Sequence, residues 1–167
     1  MTRVALVPGC LALLPEYASL DDPVEELRAA CLAAVAWLGE EVRVVAGAQG
    51  TRVASALLAA VGSAPVSGAE AAYLIVGNGS ARRSEKAPGH LDPRAAEFDE
   101  MLGRSLATPD ADALGGLDRA LAAELWADVD PIAVSADLLR GVDTVAIDYD
   151  ADPYGVRYWV ARWAPRA

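Results

Sequence analysis

Apolar residues in this chain fall into short dense runs that alternate with longer stretches of helical period. Arg3–Val7, Val42–Ala46 and Ala72–Val76 are brief aliphatic runs, each followed within a residue or two by glycine, at Gly9, Gly47 and Gly77. Runs of this length closed by turn residues predict buried strands. Behind Asp22-Pro23-Val24-Glu25, the residues Val24, Leu27, Cys31, Val35 and Leu38 recur at helical spacing. There Asp22 can cap, Pro23 suits the first helical position and Glu25 completes a capping box. Thr51 is placed to cap a second helix, whose Val53, Leu57 and Val61 share a face, and 62–69 reads as loop.

The pattern then changes. Asp92-Pro93 starts a helix with Ala95, Phe98, Leu102 and Leu106 inward, Thr108-Pro109 a second with Leu114, Leu117, Leu121 and Leu125, and Asp130-Pro131 a short third toward Leu139. Thr144–Asp148, a turn at 150–155 and Arg157–Trp163 predict an antiparallel hairpin. Strands alternating with helices define an α/β fold: three layers, α/β/α, with a mostly parallel central sheet and the C-terminal hairpin at one edge. The 167 residues, without linker or repeat, suit a single domain over 1–167.

Composition narrows the function. A formal charge of −10 disfavours nucleic acid and anionic membranes, which are held through Lys and Arg. No stretch has the ~20 apolar residues of a spanning helix, and the apolar run Arg3–Leu14 is interrupted by Pro8-Gly9 and too short for a signal sequence. A cytoplasmic protein is expected. Cys10 and Cys31 are too few for a disulfide framework and read as buried thiols.

Polar chemistry is densest just after the third strand. Within 77–92 stand Asn78, Ser80, Arg82, Arg83, Glu85, the single lysine Lys86 and the single histidine His90. In α/β proteins ligands bind outside the carboxyl ends of strands, so this loop is the first candidate site. Gly77 to Arg83 can be read as an anion cradle of backbone N–H groups with arginine, or as a tight turn whose arginines pair with nearby carboxylates. His90 and Ser80 are the candidate catalytic side chains, one as general base and the other as nucleophile. Asp148, Asp150 and Asp152 form a carboxylate group that could serve a hydrolase or transferase, and together with Glu16 could hold a hard cation such as Mg²⁺. The hairpin Tyr154–Trp163 offers an aromatic edge through which copies of the chain could pair.

Three blocks carry a family resemblance: Val7-Pro8-Gly9-Cys10 through Pro15-Glu16; Gly77-Asn78-Gly79-Ser80-Ala81-Arg82 with Ala87-Pro88-Gly89 and Asp92 to Phe98; and Asp152-Pro153-Tyr154-Gly155-Val156-Arg157-Tyr158. Through them the chain resembles the catalytic chains of the class III extradiol ring-cleavage dioxygenases, in their short bacterial branch. The resemblance implies a mononuclear Fe(II) site of two histidines and a carboxylate, with a further histidine as acid/base. Position by position the iron set is missing. Gly9 follows Pro8 where a histidine would stand, 47–50 holds no histidine, Ala81 replaces the acid/base histidine, and Asn78 replaces an aspartate. The carboxylate would be Asp150 or Asp152. A facial triad needs two histidines and this chain has one, so no metal or other cofactor is expected. The implied function is a dioxygenase-like protein without ring-cleavage activity, binding a small acidic or aromatic ligand or a protein partner. Its ligand-binding candidates are Cys10, Glu16, Asn78, Ser80, Arg82, Asp152 and Tyr154.

Overall fold

The computed structural model describes residues 2–68 and 71–165. The predicted α/β architecture is present. Six strands form one sheet, β1 (Val4–Val7), β2 (Glu41–Val45), β3 (Ala64–Pro65), β4 (Ala72–Val76), β5 (Thr144–Ala151) and β6 (Tyr158–Ala164), in the order β3-β2-β4-β1-β6-β5. The first four are mutually parallel, and β6 runs antiparallel to both β1 and β5. Strand β1 is central and buried on both faces, which explains its unbroken apolar run.

Alternation along β1 assigns the two cores. Ala5 and Val7 face helices α1 (Glu25–Leu38) and α2 (Ala48–Val61), with Leu27, Cys31, Val53 and Leu57 beside them. Val4 and Leu6 face the other layer, built from α3 (Arg94–Ala107), α4 (Ala111–Gly115), α5 (Arg119–Glu124) and α6 (Asp130–Val134). Trp159 and Trp163 of β6 are sunk in this second core, and the Trp163 indole N–H donates to the Leu106 carbonyl at 3.1 Å. These two hairpin aromatics therefore face inward, while Tyr154 in the turn is exposed. The outer strand is β5, whose exposed side carries Asp148 at a bulge between Ile147 and Tyr149, with the Asp148 carboxylate gripped by Arg162. A charged, bulged edge discourages strand-to-strand pairing.

Several local expectations are corrected. Helix α2 begins at Ala48, three residues before Thr51, and the Thr51 hydroxyl donates back to the Gly47 carbonyl instead of capping. Gly50, the glycine that suggests a loop, lies in the helix, and a side chain is excluded there because a Cβ would come within 2.9 Å of the Val76 side chain. The single helix expected after Thr108-Pro109 is broken at Gly115-Gly116 into α4 and α5, each with its own aspartate cap: Asp110 accepts from Ala113 N–H and Asp118 from Leu121 N–H. The loop expected over 62–69 contains the two-residue edge strand β3, and its last residue lies outside the described residues. Strand β5 runs three residues past Asp148, absorbing Asp150 and Ala151 from the predicted turn. Among the described residues no helix is long and apolar enough to cross a membrane.

Candidate functional site

The chain leaves adjacent parallel strands β1 and β4 in opposite directions. After β1 it turns toward α1 on one face of the sheet, and after β4 toward α3 on the other. Diverging connections open a crevice at the carboxyl ends of such a pair, the usual ligand position in an open α/β sheet. A cleft of about 1160 Å³ lies there. Gly9, Cys10 and Ala12 line it from the end of β1, Gln49 from the first turn of α2, and Asn78 and Ala81 from the end of β4. Lys86 and Pro88 of the following loop, Trp126 and Asp128 of the α5–α6 connector, and Asp152 to Val156 with Tyr158 of the hairpin complete it.

The sequence-predicted residues divide. Cys10, Asn78, Asp152 and Tyr154 line this cleft; Glu16, Ser80, Arg82 and His90 do not. Glu16 is on the surface, paired with Arg52 at 2.9 Å. Ser80 is fully buried, and its hydroxyl donates to Asp99 at 2.6 Å, so it is placed as a structural anchor and not as a nucleophile. Arg82 donates to the Glu124 carbonyl at 3.0 Å and lies 3.6 Å from Asp92. His90 is exposed, with Nδ1 3.3 Å from the Glu85 carbonyl oxygen. The three hairpin aspartates do not converge: Asp148 is held by Arg162, Asp150 by Arg157 and Asp152 by Arg83.

The anion-cradle reading also fails, for a countable reason. Backbone N–H groups of Gly77, Asn78, Gly79, Ala81 and Arg83 donate to the carbonyls of Val7, Asp128, Arg157, Leu125 and Gly155, and that of Ser80 donates to the Asp99 carboxylate. With its amides so occupied, the loop has little backbone left to offer an oxyanion. The polar density of 77–92 instead welds loop to sheet, to α3 and to the hairpin.

Asp92 shows the electrostatic side of that weld. Its carboxyl pKa is held down to about 2, chiefly by the hydrogen bond from the Arg94 side chain, then by the Arg94 N–H, with the Arg94 and Arg82 charges adding to these. A carboxyl with a folded pKa below its unfolded value of ~3.9 favours the native state above that value and loses the contribution as pH falls. Urea midpoints measured from pH 5 downward are expected to drop more steeply for the wild type than for Asp92→Asn between about pH 4 and the carboxyl's value of about 2.

Four further features stand inside the cleft. Tyr158 is buried beside Cys10; burial, followed by the neighbouring thiol's charge and hydrogen bond, pushes its hydroxyl pKa well up. Lys86, the sole lysine, makes no ion pair with any described residue. Asp128 is bound through its backbone to Asn78 in both directions, N–H to carbonyl at 3.0 and 3.1 Å, while its carboxyl has no hydrogen-bond or ion-pair partner among the described residues. Burial, and then the nearby Asp130, push the Asp128 pKa up. Trp126 closes α5 in a Schellman motif, with Ala127 N–H on the Ala122 carbonyl and Trp126 N–H on that of Ala123. Its φ of 57° is the left-handed conformation that glycine takes freely and that costs other residues roughly 1–2 kcal/mol. Yet the residue is a tryptophan, 57% exposed, on the cleft wall. An aromatic kept in this conformation at a crevice is a candidate ligand contact.

An Fe(II) centre does not fit the donors present. Gly9, Gln49, Asn78 and Ala81 stand at this end of the sheet, and among the described residues no three His, Cys, Asp or Glu side chains are grouped to hold a metal ion. No protein-family model matches this sequence, and the curated proteins compared with it give no significant match. Fold and cleft together define an α/β domain with an open crevice at its topological switch point.

Proposed function

We propose that this chain is a small-molecule-binding protein built on a frame like that of the extradiol dioxygenases, in which an aromatic-walled cleft has replaced ring-cleavage chemistry. The observation that carries the reading is the cleft at the diverging ends of β1 and β4, walled by Trp126, Tyr154 and Tyr158. Apolar and aromatic walls with a few polar groups are the usual constitution of a small-ligand site. The resemblance gains support from placement: the residues at or near the positions where active relatives would carry metal and acid/base groups, Gly9, Gln49, Asn78, Ala81 and Asp152, line this one cleft. Hydrolase or transferase chemistry from His90 or from Asp148 to Asp152 finds no such convergence.

The test is binding, read against iron. Added 3,4-dihydroxybenzoate is expected to quench tryptophan fluorescence saturably and to do so no longer in Ala12→Trp, which fills the cleft from the β1 side. Anaerobic Fe(II) is expected to leave no stoichiometric iron after gel filtration. Stoichiometric iron with ring opening of the same catechol would overturn the proposal.

A further inference from the structure

The α5–α6 connector presents two cleft groups on one short rigid segment. Trp126 offers an exposed indole, and two residues on Asp128 offers a carboxyl that no described side chain engages. Their relative placement is fixed from both sides. The Schellman hydrogen bonds hold Trp126 to α5, and the reciprocal backbone pair with Asn78 holds Asp128 to the end of β4. A platform whose backbone is held in advance loses less freedom on binding than one on a loose loop. Glycine would occupy position 126 without strain, so the tryptophan's presence there points to its ring face as the part that matters.

We infer that the cleft takes a planar nitrogen heterocycle that stacks on Trp126 and directs two adjacent N–H donors at the Asp128 carboxylate. This rests on the small-molecule reading above and names the ligand's chemistry. A carboxylate is acceptor-only when ionised, with two oxygens suited to a pair of parallel donors. An N–H beside an exocyclic amine, as on guanine, on a 2-aminopyrimidinone or on a pterin, supplies that pair. A ring edge of carboxylate or acceptor atoms would set like against like at Asp128. Stacking on an aromatic side chain suits the heterocycle's face regardless of its substituents.

Calorimetric titration of the full chain with guanosine, inosine and 3,4-dihydroxybenzoate tests the inference, because inosine differs from guanosine only in lacking the exocyclic amine. Guanosine is expected to bind saturably and inosine about tenfold or more weakly, the discrimination a bidentate contact gives. Asp128→Asn, which keeps the backbone pair with Asn78, is expected to weaken guanosine by about tenfold and to erase its advantage over inosine. Trp126→Gly is expected to weaken it by about tenfold while raising the thermal midpoint, since glycine relieves the left-handed strain. Loss of binding alongside a gain in stability separates a ligand contact from a structural role. Equal affinity for guanosine and inosine, or indifference to Asp128→Asn, would sink the inference. If 3,4-dihydroxybenzoate binds and guanosine does not, the heterocycle inference falls and the cleft reading stands. If neither binds, both fall.

Discussion

Asp99→Ala is expected to destabilise the protein by about 3–5 kcal/mol, the range for removing one partner from a buried charged network. Asp99 lies on α3 and is 1% exposed. One carboxylate oxygen accepts the Ser80 N–H at 2.8 Å; the other accepts the Ser80 hydroxyl at 2.6 Å and the Arg83 guanidinium at 3.0 Å. Alanine would leave a buried N–H and a buried hydroxyl without partners, each costing about 1–3 kcal/mol. Arg83 would suffer less, since it keeps Asp152 at 2.7 Å. Ser80→Ala supplies the internal comparison. It removes one hydrogen bond and leaves Asp99 with the backbone N–H and Arg83, so about 1 kcal/mol is expected. Urea denaturation of both variants gives the ordering; equal losses would mean that Asp99 is not the hub. Because Arg83 ties this hub to Asp152 on the cleft wall, Asp99→Ala is also expected to loosen the hairpin side of the site.

The same network explains which features are legible in the sequence. Strands announce themselves through short aliphatic runs, and the Asp-Pro pairs mark the beginnings of α3 and α6, because caps and periodicity are local properties. Strand β3 stays hidden: two residues, one a proline, carry no period, and their pairing with Glu41 and Val42 is entirely tertiary. The start of α2 is obscured because Gly50 answers to contact with Val76, not to a turn. In the candidate site, Cys10, Asn78, Asp152 and Tyr154 are visible as residues near strand ends or in the hairpin turn. Trp126 and Asp128 are not, since the connector that carries them meets the end of β4 through tertiary contacts such as the bridge between Asn78 and Asp128, fifty residues apart in sequence. Arg82 and His90 show the opposite case, standing in the polar loop without lining the cleft. A dense polar loop looks reactive when its charges pair with neighbouring carbonyls and carboxylates, and the two readings cannot be told apart until those partners are known.

Gly155→Ala is expected to cost roughly 2–5 kcal/mol, combining left-handed strain with overpacking. The residue sits at φ 72° in the hairpin turn, and a Cβ added there would lie 2.6 Å from the Ser84 hydroxyl, 2.7 Å from the Ala87 Cβ and 3.1 Å from the Ala87 Cα. The last of these is backbone and cannot swing aside. The Gly155 carbonyl also accepts the Arg83 N–H at 3.1 Å, so pushing the turn outward would break the weld between the hairpin and the β4–α3 loop. Gly62 isolates the two components. Its φ is 76°, but a Cβ there meets nothing within 4 Å, so Gly62→Ala should cost only the backbone share of roughly 1–2 kcal/mol. Since Gly155 and its neighbours Tyr154 and Val156 line the cleft, the Gly155 variant is further expected to weaken ligand binding while the Gly62 variant leaves it unchanged. Equal losses of stability in the two alanine variants would show that the turn yields, and that its tight seat against Ala87 does not shape the cleft.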